Sequence, residues 1–436
     1  AAVLPVGAGG FGVAWLEIST GLFQAAEVAA ARLPDELARL APAECVCAER
    51  DSATVAAVLQ RLPAVPALTT RPDWNFDGAS ARAALHQHFH IKTLTGFGFD
   101  DQQPCLAAAG GLLLYAQEML KADLGHLRQL RPYVGSDVLQ LDDVTRRSLE
   151  LTRTLREGDR QGSLLSAIDR TVTTMGARLL HDWLLAPLTN RAGIEARLDV
   201  VEELTREIAL RGDLRKTLGD MHDVQRLTAR VSTGRASPRD LGAIAGTLRL
   251  LPHVKAKITA RRAGLLQELE GRLELCADLR ATLDAALMDE LPLSPRDGGL
   301  IRPGYNATLD ELRDIARGGK EWIARFQAQE ITRTGIGSLK VGFNKVFGYY
   351  IEITHTHAAK IPSDYQRKQT LKNAERYITP ELKEYEEKVL SAEEKSQQRE
   401  YELFLALRDE VAAQTQRLLQ TGEVLAHLDV LAALMS

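Results

Sequence analysis

The order of apolar and polar residues in the first quarter of the chain predicts a small α/β domain. Residues 11–28 alternate apolar and polar positions on both sides of Thr20 and Gly21, which predicts a β-hairpin that turns at the glycine. The following segments, up to about residue 120, switch between helical and strand-like spacing. Alternation of this kind is typical of a sheet packed by helices.

Beyond about residue 140, the apolar positions recur with the period of an α-helix. Leu179, Trp183 and Leu184 precede Pro187, and later breaks in the pattern are again followed by amphipathic stretches. Strand-like alternation essentially vanishes here. The spacing therefore predicts an α-helical domain.

Two long helices are predicted toward the end of the chain. One begins at Ala307 and stops at Gly335, and the second begins at Pro380 with Thr379 as its N-cap. The second helix contains SAEEKSQQRE, which is polar on all sides and indicates a two-helix arm that crosses solvent. If unbroken to about residue 418, this helix would be about 55 Å long.

Between these two helices, residues 338–379 return to strand-like patterns. SLKVGF and FGYYIEIT flank Asn344, Lys345 and Val346 and predict a second hairpin. QTLKN and ERYIT predict two more short strands. The arm would therefore carry a small β module at its tip.

Composition is that of a globular protein with several domains. The 436 residues allow about three domains, and 45% hydrophobic and 26% charged residues are near the usual averages. No apolar run approaches the roughly 18 residues of a membrane span, and the first residues show no secretory signal. The four cysteines form no paired motif. We therefore expect a cytoplasmic protein with reduced thiols.

Charge is distributed unevenly along the chain. The whole sequence carries 54 basic and 58 acidic residues, a formal net charge of −4. Residues 320–379 nevertheless contain ten Lys or Arg and five Asp or Glu, a local charge of +5. This asymmetry predicts an anion-binding module on a neutral scaffold.

The stretch QRKQTLKNAERY has the composition of a phosphate binder. Its basic residues alternate with Gln, Thr and Asn, which can donate to phosphate oxygens without reading bases. A solvated charged face is the alternative, but Glu375 is the one acid in the stretch, so phosphate contact is preferred. The candidate residues are Arg367, Lys368, Lys372, Asn373 and Arg376, with Lys340 and Lys345 on the hairpin as weaker candidates.

The aromatic residues of the same module allow two interpretations. They could stack on nucleic-acid bases. Their spacing on predicted strands favours packing in the small core of the module instead. The residues concerned are Phe343, Phe347, Tyr349 and Tyr350.

The sequence contains no convincing nucleotide or metal motif. Gly319-Lys320 is followed by Glu321 and lacks the first glycine of a phosphate loop. GAGGFG near the start precedes a strand and is no dinucleotide-binding fingerprint. His86 and His90 could share a helix face and bind a metal, but no third ligand is apparent, so ordinary histidines on a helix are preferred.

Two further polar groups leave alternatives open. His355 and His357 alternate on a predicted strand and could bind phosphate when protonated, although a solvated strand face is preferred. Glu17 with Asp100 and Asp101 could form a two-metal nuclease site. One strand acid with two loop acids is a weak signal. No catalytic, cofactor-binding or metal-binding residue is therefore assigned.

Several stretches, in the same order along the chain, resemble the MutS family of DNA mismatch repair proteins. The most specific are DGGLIRPGYNATLDELR, LKVGFNKVFGYYIEIT and QTLKNAERYITPELKEYEEKVL, supported by IDRTVTTMGARLLHDWLLAPLTN and GVAWLEISTG. The resemblance implies a multi-domain, mostly α, α+β fold. Its expected parts are an RNase H-like α/β connector at 1–120, a helical core and outgoing lever at 121–319, a β-rich basic clamp at 320–379, and a returning lever helix and core at 380–436.

The resemblance also implies which activities this chain lacks. The family reads a mismatch with a Phe-x-Glu motif, and none of the ten Phe residues here has Glu two positions later. The family's ATPase domain should follow a segment like LAHLDVLAALMS. We therefore expect a non-enzymatic middle piece, without a cofactor, of a longer protein that uses ATP and Mg²⁺.

The partners implied by the resemblance are DNA and other repair proteins. The clamp would contact the backbone of double-stranded DNA without sequence preference, and the levers would couple the ATPase to DNA binding. A second MutS subunit would complete a homodimer around DNA, and a MutL-type partner could bind the connector. The competing hypotheses are a MutS-like helical scaffold that acts mainly through protein partners, and a connector-based nuclease.

Overall fold

The chain folds into two units, each with its own core. The computed structural model describes residues 1–7, 9–122, 124–317, 319–344 and 348–434. The first unit comprises residues 1–284 with 408–436, and the second comprises 285–407. In these residues, no helix has the length and apolar character that crossing a bilayer requires. The predicted multi-domain, mostly α, α+β fold class is confirmed.

The first unit opens with a six-stranded mixed sheet. Its strands are β1 (Ala2–Val6), β2 (Gly10–Glu17), β3 (Leu22–Ala29), β4 (Glu44–Ala48), β5 (Ala67–Arg71) and β6 (Arg131–Pro132). The strand order is β5-β4-β1-β2-β3-β6. The central pairs β1–β2 and β2–β3 are antiparallel, and the pairs β1–β4, β4–β5 and β3–β6 are parallel. The predicted hairpin around Gly21 is confirmed as β2–β3.

Strand β1 was missing from the sequence prediction. Its sequence, AVLPV, is a short apolar run without the alternation that marks a half-buried strand. GAGGFG therefore includes the first three residues of β2, which is antiparallel to β1, and Gly7 and Gly9 before them have positive φ. This setting differs from the strand-to-helix turn of a dinucleotide-binding fingerprint.

Helices cover both faces of this sheet. They are α1 (Leu33–Leu40), α2 (Ser52–Leu59), α3 (Gly78–Phe89) and α4 (Cys105–Leu120). One core joins α1 and α2 to Val3, Val13 and Trp15. The other joins α3 and α4 to Phe23 and Phe76. The sequence-predicted alternation of strands and helices is thus a layered α/β arrangement.

The rest of the first unit is helical, as predicted. Its helices are α5 (Asp143–Ser148), α6 (Leu164–Ile168), α7 (Thr174–Leu185), α8 (Arg191–Arg206), α9 (Ile208–Gly219), α10 (Val224–Ser232), α11 (Pro238–Ile258), α12 (Gly264–Arg272) and α13 (Ala277–Ala286). α7 ends two residues before Pro187, and α11 begins at Pro238 after a capping box formed by Ser237 and Asp240.

Asp223 links two of these helices. Its side chain caps α10 by accepting from the Arg226 N–H at 3.2 Å. It also accepts from Arg178 on α7 at 2.6 Å and from the hydroxyl of Thr174 at 2.8 Å. Burial alone would raise the pKa of Asp223, but the hydrogen bonds from Arg178 and Thr174 outweigh it and lower the pKa below its ordinary value.

We expect Asp223 to make the first unit sensitive to acid. A carboxyl whose folded-state pKa is depressed stabilises the fold above its unfolded pKa of about 4, and this stabilisation is lost as pH falls through the folded value. Asp223→Asn should lower the free energy of unfolding at pH 7 by about 1–3 kcal/mol and flatten its decline toward pH 3. Urea unfolding at both pH values measures this. Asp220→Asn, at an exposed neighbour, is the control, and an unchanged pH profile in Asp223→Asn would contradict the assignment.

The second unit combines long helices with a four-stranded antiparallel sheet. Its elements are α14 (Ala307–Arg317), α15 (Gly319–Thr334), β7 (Lys340–Asn344), β8 (Gly348–Thr354), β9 (Gln366–Thr370), β10 (Ala374–Ile378) and α16 (Pro380–Ala413) as far as residue 407, and the strand order is β7-β8-β10-β9. The predicted hairpin is confirmed as β7–β8, although Lys345 and Val346 of its turn lie outside the described residues. ERYIT matches β10, but the strand predicted at QTLKN was placed wrongly, because β9 is QRKQT and the Leu371 N–H donates to the Ala374 carbonyl at 2.8 Å in the turn that follows. Thr379 caps α16 as predicted, because its hydroxyl accepts from the Leu382 N–H at 3.2 Å.

One prediction about α16 was wrong, and the condition of another was not met. The helix ends at Ala413 and α17 (Thr415–Ala433) follows, so its 34 residues span about 51 Å at about 1.5 Å per residue. Its polar middle is not exposed on all sides, since Ser396 and Glu400 are 9% and 3% exposed. Both residues belong to a buried stripe of α16. Glu400 can be buried there because each of its carboxylate oxygens accepts a hydrogen bond.

Aromatic and aliphatic side chains form the core of the small sheet. Ile351, Ile353 and Tyr377 pack against Phe326 of α15 and Leu382 of α16. A second aromatic group lies beside it, in which Trp322 stacks on Phe326 and Tyr385 with ring centroids 4.9 and 3.6 Å away. The sheet is therefore anchored to both helices that flank it in sequence.

Candidate nucleic-acid interface

The candidate residues come together on the small sheet. Lys340 begins β7, Arg367 and Lys368 lie in β9, Lys372 and Asn373 form part of the β9–β10 turn, and Arg376 lies in β10. Lys345 falls outside the residues that the structure describes. The sheet thus groups side chains that are up to 36 positions apart in the sequence.

Arg376 is engaged inside the sheet. It lies in a cross-strand row with Glu352 and Gln369, set by the register of β8, β10 and β9. Its Nε donates to Glu352 at 3.0 Å and one Nη donates to Gln369 at 3.0 Å. The guanidinium also lies 4.1 Å from the ring centroid of Tyr350. Arg376 therefore holds neighbouring strands together, and Glu352 neutralises its charge.

Acids of the segment 322–379 pair with arginines wherever the structure describes them. Arg333 bridges Glu330 and Asp364 at 2.7 and 3.0 Å, Arg376 pairs with Glu352 at 3.0 Å, and Arg367 pairs with Glu375 at 3.3 Å. Three of the four arginines of this segment are thus used to neutralise acids. Arg325, on α15, is exposed.

The described lysines of the same segment have no such partners. All four are exposed, and none forms an ion pair with any residue in the described ranges. They are Lys340, Lys360, Lys368 and Lys372, which we call the lysine set. The positive charge that remains available on the module is therefore carried mainly by lysine side chains.

Lys360 is a candidate that the sequence reasoning missed. It ends a short 3₁₀ helix, His355–Lys360, that follows β8. In the sequence it is separated from QRKQTLKNAERY by IPSDY, so it contributed to the local charge of +5 without being singled out. Its exposure could not be read from the sequence pattern.

Two members of the lysine set lie at one end of the sheet. Because adjacent strands are antiparallel, the start of β7, the end of β8 and the β9–β10 turn share that end. Lys340 begins β7 and Lys372 lies in the β9–β10 turn, whereas Lys360 lies on the connection from β8 to β9, six residues after β8 ends. Lys368 lies in β9 at a β-bulge. Gln369 and Arg367 on either side of it pair with consecutive residues of β10, so Lys368 has no residue opposite it in that strand.

His355 makes hydrogen bonds within the module. His355 and His357 lie on the 3₁₀ helix, so their predicted place on a strand was wrong. The chain leaves strand geometry after Thr354, where the His355 N–H donates to the Asn373 carbonyl at 3.3 Å. The His355 ring donates from Nε2 to the Leu371 carbonyl at 3.1 Å. His355 therefore ties the end of β8 to the β9–β10 turn.

Two tyrosines hold acids of the module in place. Tyr365 donates to Glu330 at 2.5 Å, and Tyr377 donates to Glu375. Burial and then the hydrogen bond to Glu375 raise the pKa of Tyr377 to about 12. The pKa of Tyr365 is raised for the same reasons, with Glu330 as its partner. Both phenols stay protonated at neutral pH and keep donating.

The aromatic residues divide between core and surface. Tyr349 packs against the core of the sheet, and Tyr350 lies under Arg376. Phe343 contacts Tyr349 with ring centroids 4.9 Å apart but is 50% exposed. Phe347 lies outside the described residues. The expected packing in the core is therefore confirmed for Tyr349 alone.

The other groups considered for chemistry are spread across the first unit. His86 lies within α3, whereas His90 is the residue with φ of 54° that ends this helix, so the two do not share a helical face. Asp101 accepts from the Leu94 N–H at 2.7 Å, and Glu17 accepts from the Ser19 hydroxyl at 2.7 Å. In the described part of the chain, no group of three or more His, Cys, Asp or Glu side chains could hold a metal ion.

Comparison with known proteins identifies the domains of this chain. Residues 1–128 match the family described as MutS domain II, and residues 144–434 match MutS domain III. Similar proteins named DNA mismatch repair protein MutS occur in Rhodopirellula baltica, at 48% identity over 99% of this chain and 48% of the relative, and in Symbiobacterium thermophilum, at 45% identity over 97% and 49%. One from Salinibacter ruber is 44% identical over 97% of this chain and 46% of the relative. The chain spans about half the length of these curated relatives.

Proposed function

The chain belongs to the MutS family of DNA mismatch repair proteins, and on this basis we propose that its small sheet is a clamp that contacts the DNA backbone. Residues 320–379 form this clamp in the proposal. Residues 1–120 are the connector, 121–319 the helical core and outgoing lever, and 380–436 the returning lever helix and core.

The lysine set carries this proposal. In residues 322–379 each acid pairs with an arginine, and the four described lysines are exposed and lie outside these pairs, so their charges can meet an external anion. A lysine ammonium is a point charge that suits phosphate oxygens, whereas base reading favours bidentate groups. The bidentate groups Arg376 and Gln369 bond to each other inside the sheet. The clamp is therefore suited to phosphates and not to base sequence.

The originally predicted contact residues take different roles in this proposal. Lys340, Lys368, Lys372 and Asn373 contact phosphate, and Lys360 joins them. Arg367 and Arg376 hold the clamp together through their ion pairs with Glu375 and Glu352. Lys345 stays a candidate on sequence grounds alone.

The longer relatives supply the remaining activities in this proposal. Mismatch recognition and hydrolysis of ATP with Mg²⁺ belong to regions beyond the matched half, and this chain acts without a cofactor. The core and levers couple the ATPase to the clamp in a DNA-associated cytoplasmic protein. A second MutS subunit closes around the duplex, and the connector binds a MutL-type partner.

We expect the chain to bind duplex DNA weakly and without mismatch preference. Fluorescence anisotropy of a labelled duplex of about 30 base pairs, matched or mismatched, should give dissociation constants of about 10⁻⁴ to 10⁻⁶ M. Four phosphate contacts predict a slope of about −3.6 for log K against log salt. Both duplexes should give the same values, because phosphate contacts carry no sequence information.

Other outcomes of the same titration favour the competing hypotheses. Absence of binding even at low salt would support a scaffold that acts through protein partners. Cleavage of the duplex that requires a divalent metal would support a nuclease in the connector. A clear preference for the mismatched duplex would show that residues of this chain read bases, which contradicts the proposed clamp.

A further inference from the structure

A buried carboxylate lies in the polar middle of α16. Glu400 is 3% exposed and continues a buried stripe formed by Ala392, Ser396 and Phe404. A buried carboxylate is costly unless hydrogen bonds or an opposite charge compensate it. The partners of Glu400 therefore indicate why the sequence keeps a charge at this position.

Glu400 is satisfied by one loop and one helix. Its carboxylate accepts from the backbone N–H groups of Gly299, Leu300 and Ile301 at 3.0, 2.6 and 2.9 Å, and from an Nη of Arg313 at 2.8 Å. Arg313 belongs to α14 and also donates to the Ile301 carbonyl at 2.9 Å. One carboxylate thus joins the loop 298–301, α14 and α16.

The glycines of DGGLIRPG make this arrangement possible. Gly298 and Gly299 have φ of 72° and 77°, a region that favours glycine. Successive backbone N–H groups in a turn can point toward one place and form an anion-binding concavity. In this protein the anion is the chain's own Glu400. This accounts for a motif that DNA contact alone leaves unexplained.

Glu400 lies far from the end of α16 that joins the small sheet, so a small rotation at Glu400 displaces that end by several ångströms. About 30 Å of helix separates Glu400 from Pro380, where α16 leaves the small sheet, at about 1.5 Å per residue. A rotation of about 10° at Glu400 would therefore move that end of α16 by about 5 Å. Phosphates along one strand of duplex DNA are spaced on a similar scale, so the direction of α16 matters for a backbone contact.

We propose that Glu400 is a positioning residue that locks the loop 298–301 and α14 to α16, and so fixes the direction in which α16 carries the clamp. Its consequence for DNA binding rests on the proposed function. The lock itself does not, because it concerns the geometry of the second unit without DNA. Glu400 contacts no DNA in this proposal.

Distances between two spin labels test the lock directly. Cysteines introduced at the exposed positions Glu290 and Thr370 can be labelled selectively, since the four native cysteines are buried. Double electron–electron resonance on this chain should give a narrow distance distribution. Glu400→Gln keeps the side-chain size but replaces an acceptor oxygen by a donor, and it should at least double the width of the distribution.

The matched control is Glu402→Gln on the same helix. Glu402 bonds to Gln398 and Arg399 of α16 itself, so its loss should leave the width unchanged. Thermal unfolding must show that each variant is folded at the temperature of measurement. If Glu400→Gln does not fold, Arg313→Lys serves instead, and an intermediate broadening is then expected because one of two guanidinium hydrogen bonds is lost.

Hydrogen exchange separates a lock from a purely local role. Faster exchange at residues 299–301 in Glu400→Gln together with an unchanged label distance would overturn the proposal, since Glu400 would then stabilise only its loop. Broadening in the Glu402→Gln control would overturn it as well. Failure of the unaltered chain to bind DNA would count against the proposed clamp and leave the label distances as an independent test.

Discussion

Reversing the charges of the lysine set should abolish DNA binding by this chain. With about four phosphate contacts, counterion release accounts for a factor of about 10³ to 10⁴ in affinity at 0.1 M salt relative to 1 M. The variant with Lys340, Lys360, Lys368 and Lys372 all replaced by Glu loses this term and adds repulsion. We expect its binding to fall below detection in the anisotropy titration at 0.1 M salt.

Partial substitution gives a quantitative version of the same test. Each Lys→Gln replacement in the set removes about one phosphate contact and should reduce the magnitude of the salt slope by about 0.9. Lys368→Gln with Lys372→Gln should therefore change the slope from about −3.6 to about −1.8. Affinity for matched and mismatched duplexes should fall equally, because these contacts carry no sequence information.

The control must change the same charge elsewhere in the second unit. Lys388 and Lys395 are exposed on α16, outside the clamp. The double variant Lys388→Glu with Lys395→Glu changes the net charge by the same amount as the double variant Lys368→Glu with Lys372→Glu. If the two double variants weakened binding equally, the net charge of the chain and not the clamp surface would determine affinity.

Arg376 separates structural from binding effects within the clamp. Because Arg376 bonds to Glu352 and Gln369, Arg376→Gln leaves a partly buried carboxylate without its partner. We expect this variant to lower thermal stability while the salt slope of the folded protein stays near −3.6. A loss of about 0.9 from the slope magnitude without loss of stability would instead assign Arg376 to phosphate contact.

The sequence predicted the elements of the clamp because their signals are local. Strand-like patterns identified β7, β8 and β10, and the Thr379-Pro380 pair identified the start of α16. The strand β9 was placed three residues too late, because QRKQT has no apolar alternation. A cap involves residues three apart, and a strand alternates with a period of two, so a short window contains each signal. The same local reasoning missed β1, whose apolar run carries no period.

The sequence could not predict that arginines pair with the acids of the clamp while the described lysines stay unpaired, since this pairing depends on strand register. Arg376 and Glu352 are 24 positions apart and meet only because β8 and β10 pair in one register. The sequence therefore showed a charge of +5 without showing which charges are neutralised. Likewise, nothing within SAEEKSQQRE indicates that Glu400 is buried, because its partners lie about 100 residues away in the sequence.

Asp429 should be among the most costly residues to replace in the first unit. It lies on α17 and is 0% exposed. Its carboxylate accepts from the Val172 N–H at 3.0 Å, from the Thr173 N–H at 2.8 Å and from the Thr173 hydroxyl at 2.6 Å. Thr173 is in turn the N-cap of α7, accepting from the Gly176 N–H at 2.9 Å. One carboxylate thus fixes the start of α7 to α17.

Asp429→Ala should lower the free energy of unfolding of the first unit by about 3 kcal/mol or more, since leaving one buried donor unpaired costs about 1–3 kcal/mol. Asp429→Asn should lower the free energy of unfolding almost as much, because the NH₂ of the new amide is a donor that faces the donor groups of Val172 or Thr173. Asp182→Ala, on the exposed face of α7, is the control and should change the value by no more than about 0.5 kcal/mol. Urea unfolding followed by circular dichroism measures all three. A loss below about 1 kcal/mol in Asp429→Ala would show that water or a shifted α7 satisfies the freed N–H groups. The start of α7 would then be held mainly by its apolar contacts with α17 and not by this carboxylate.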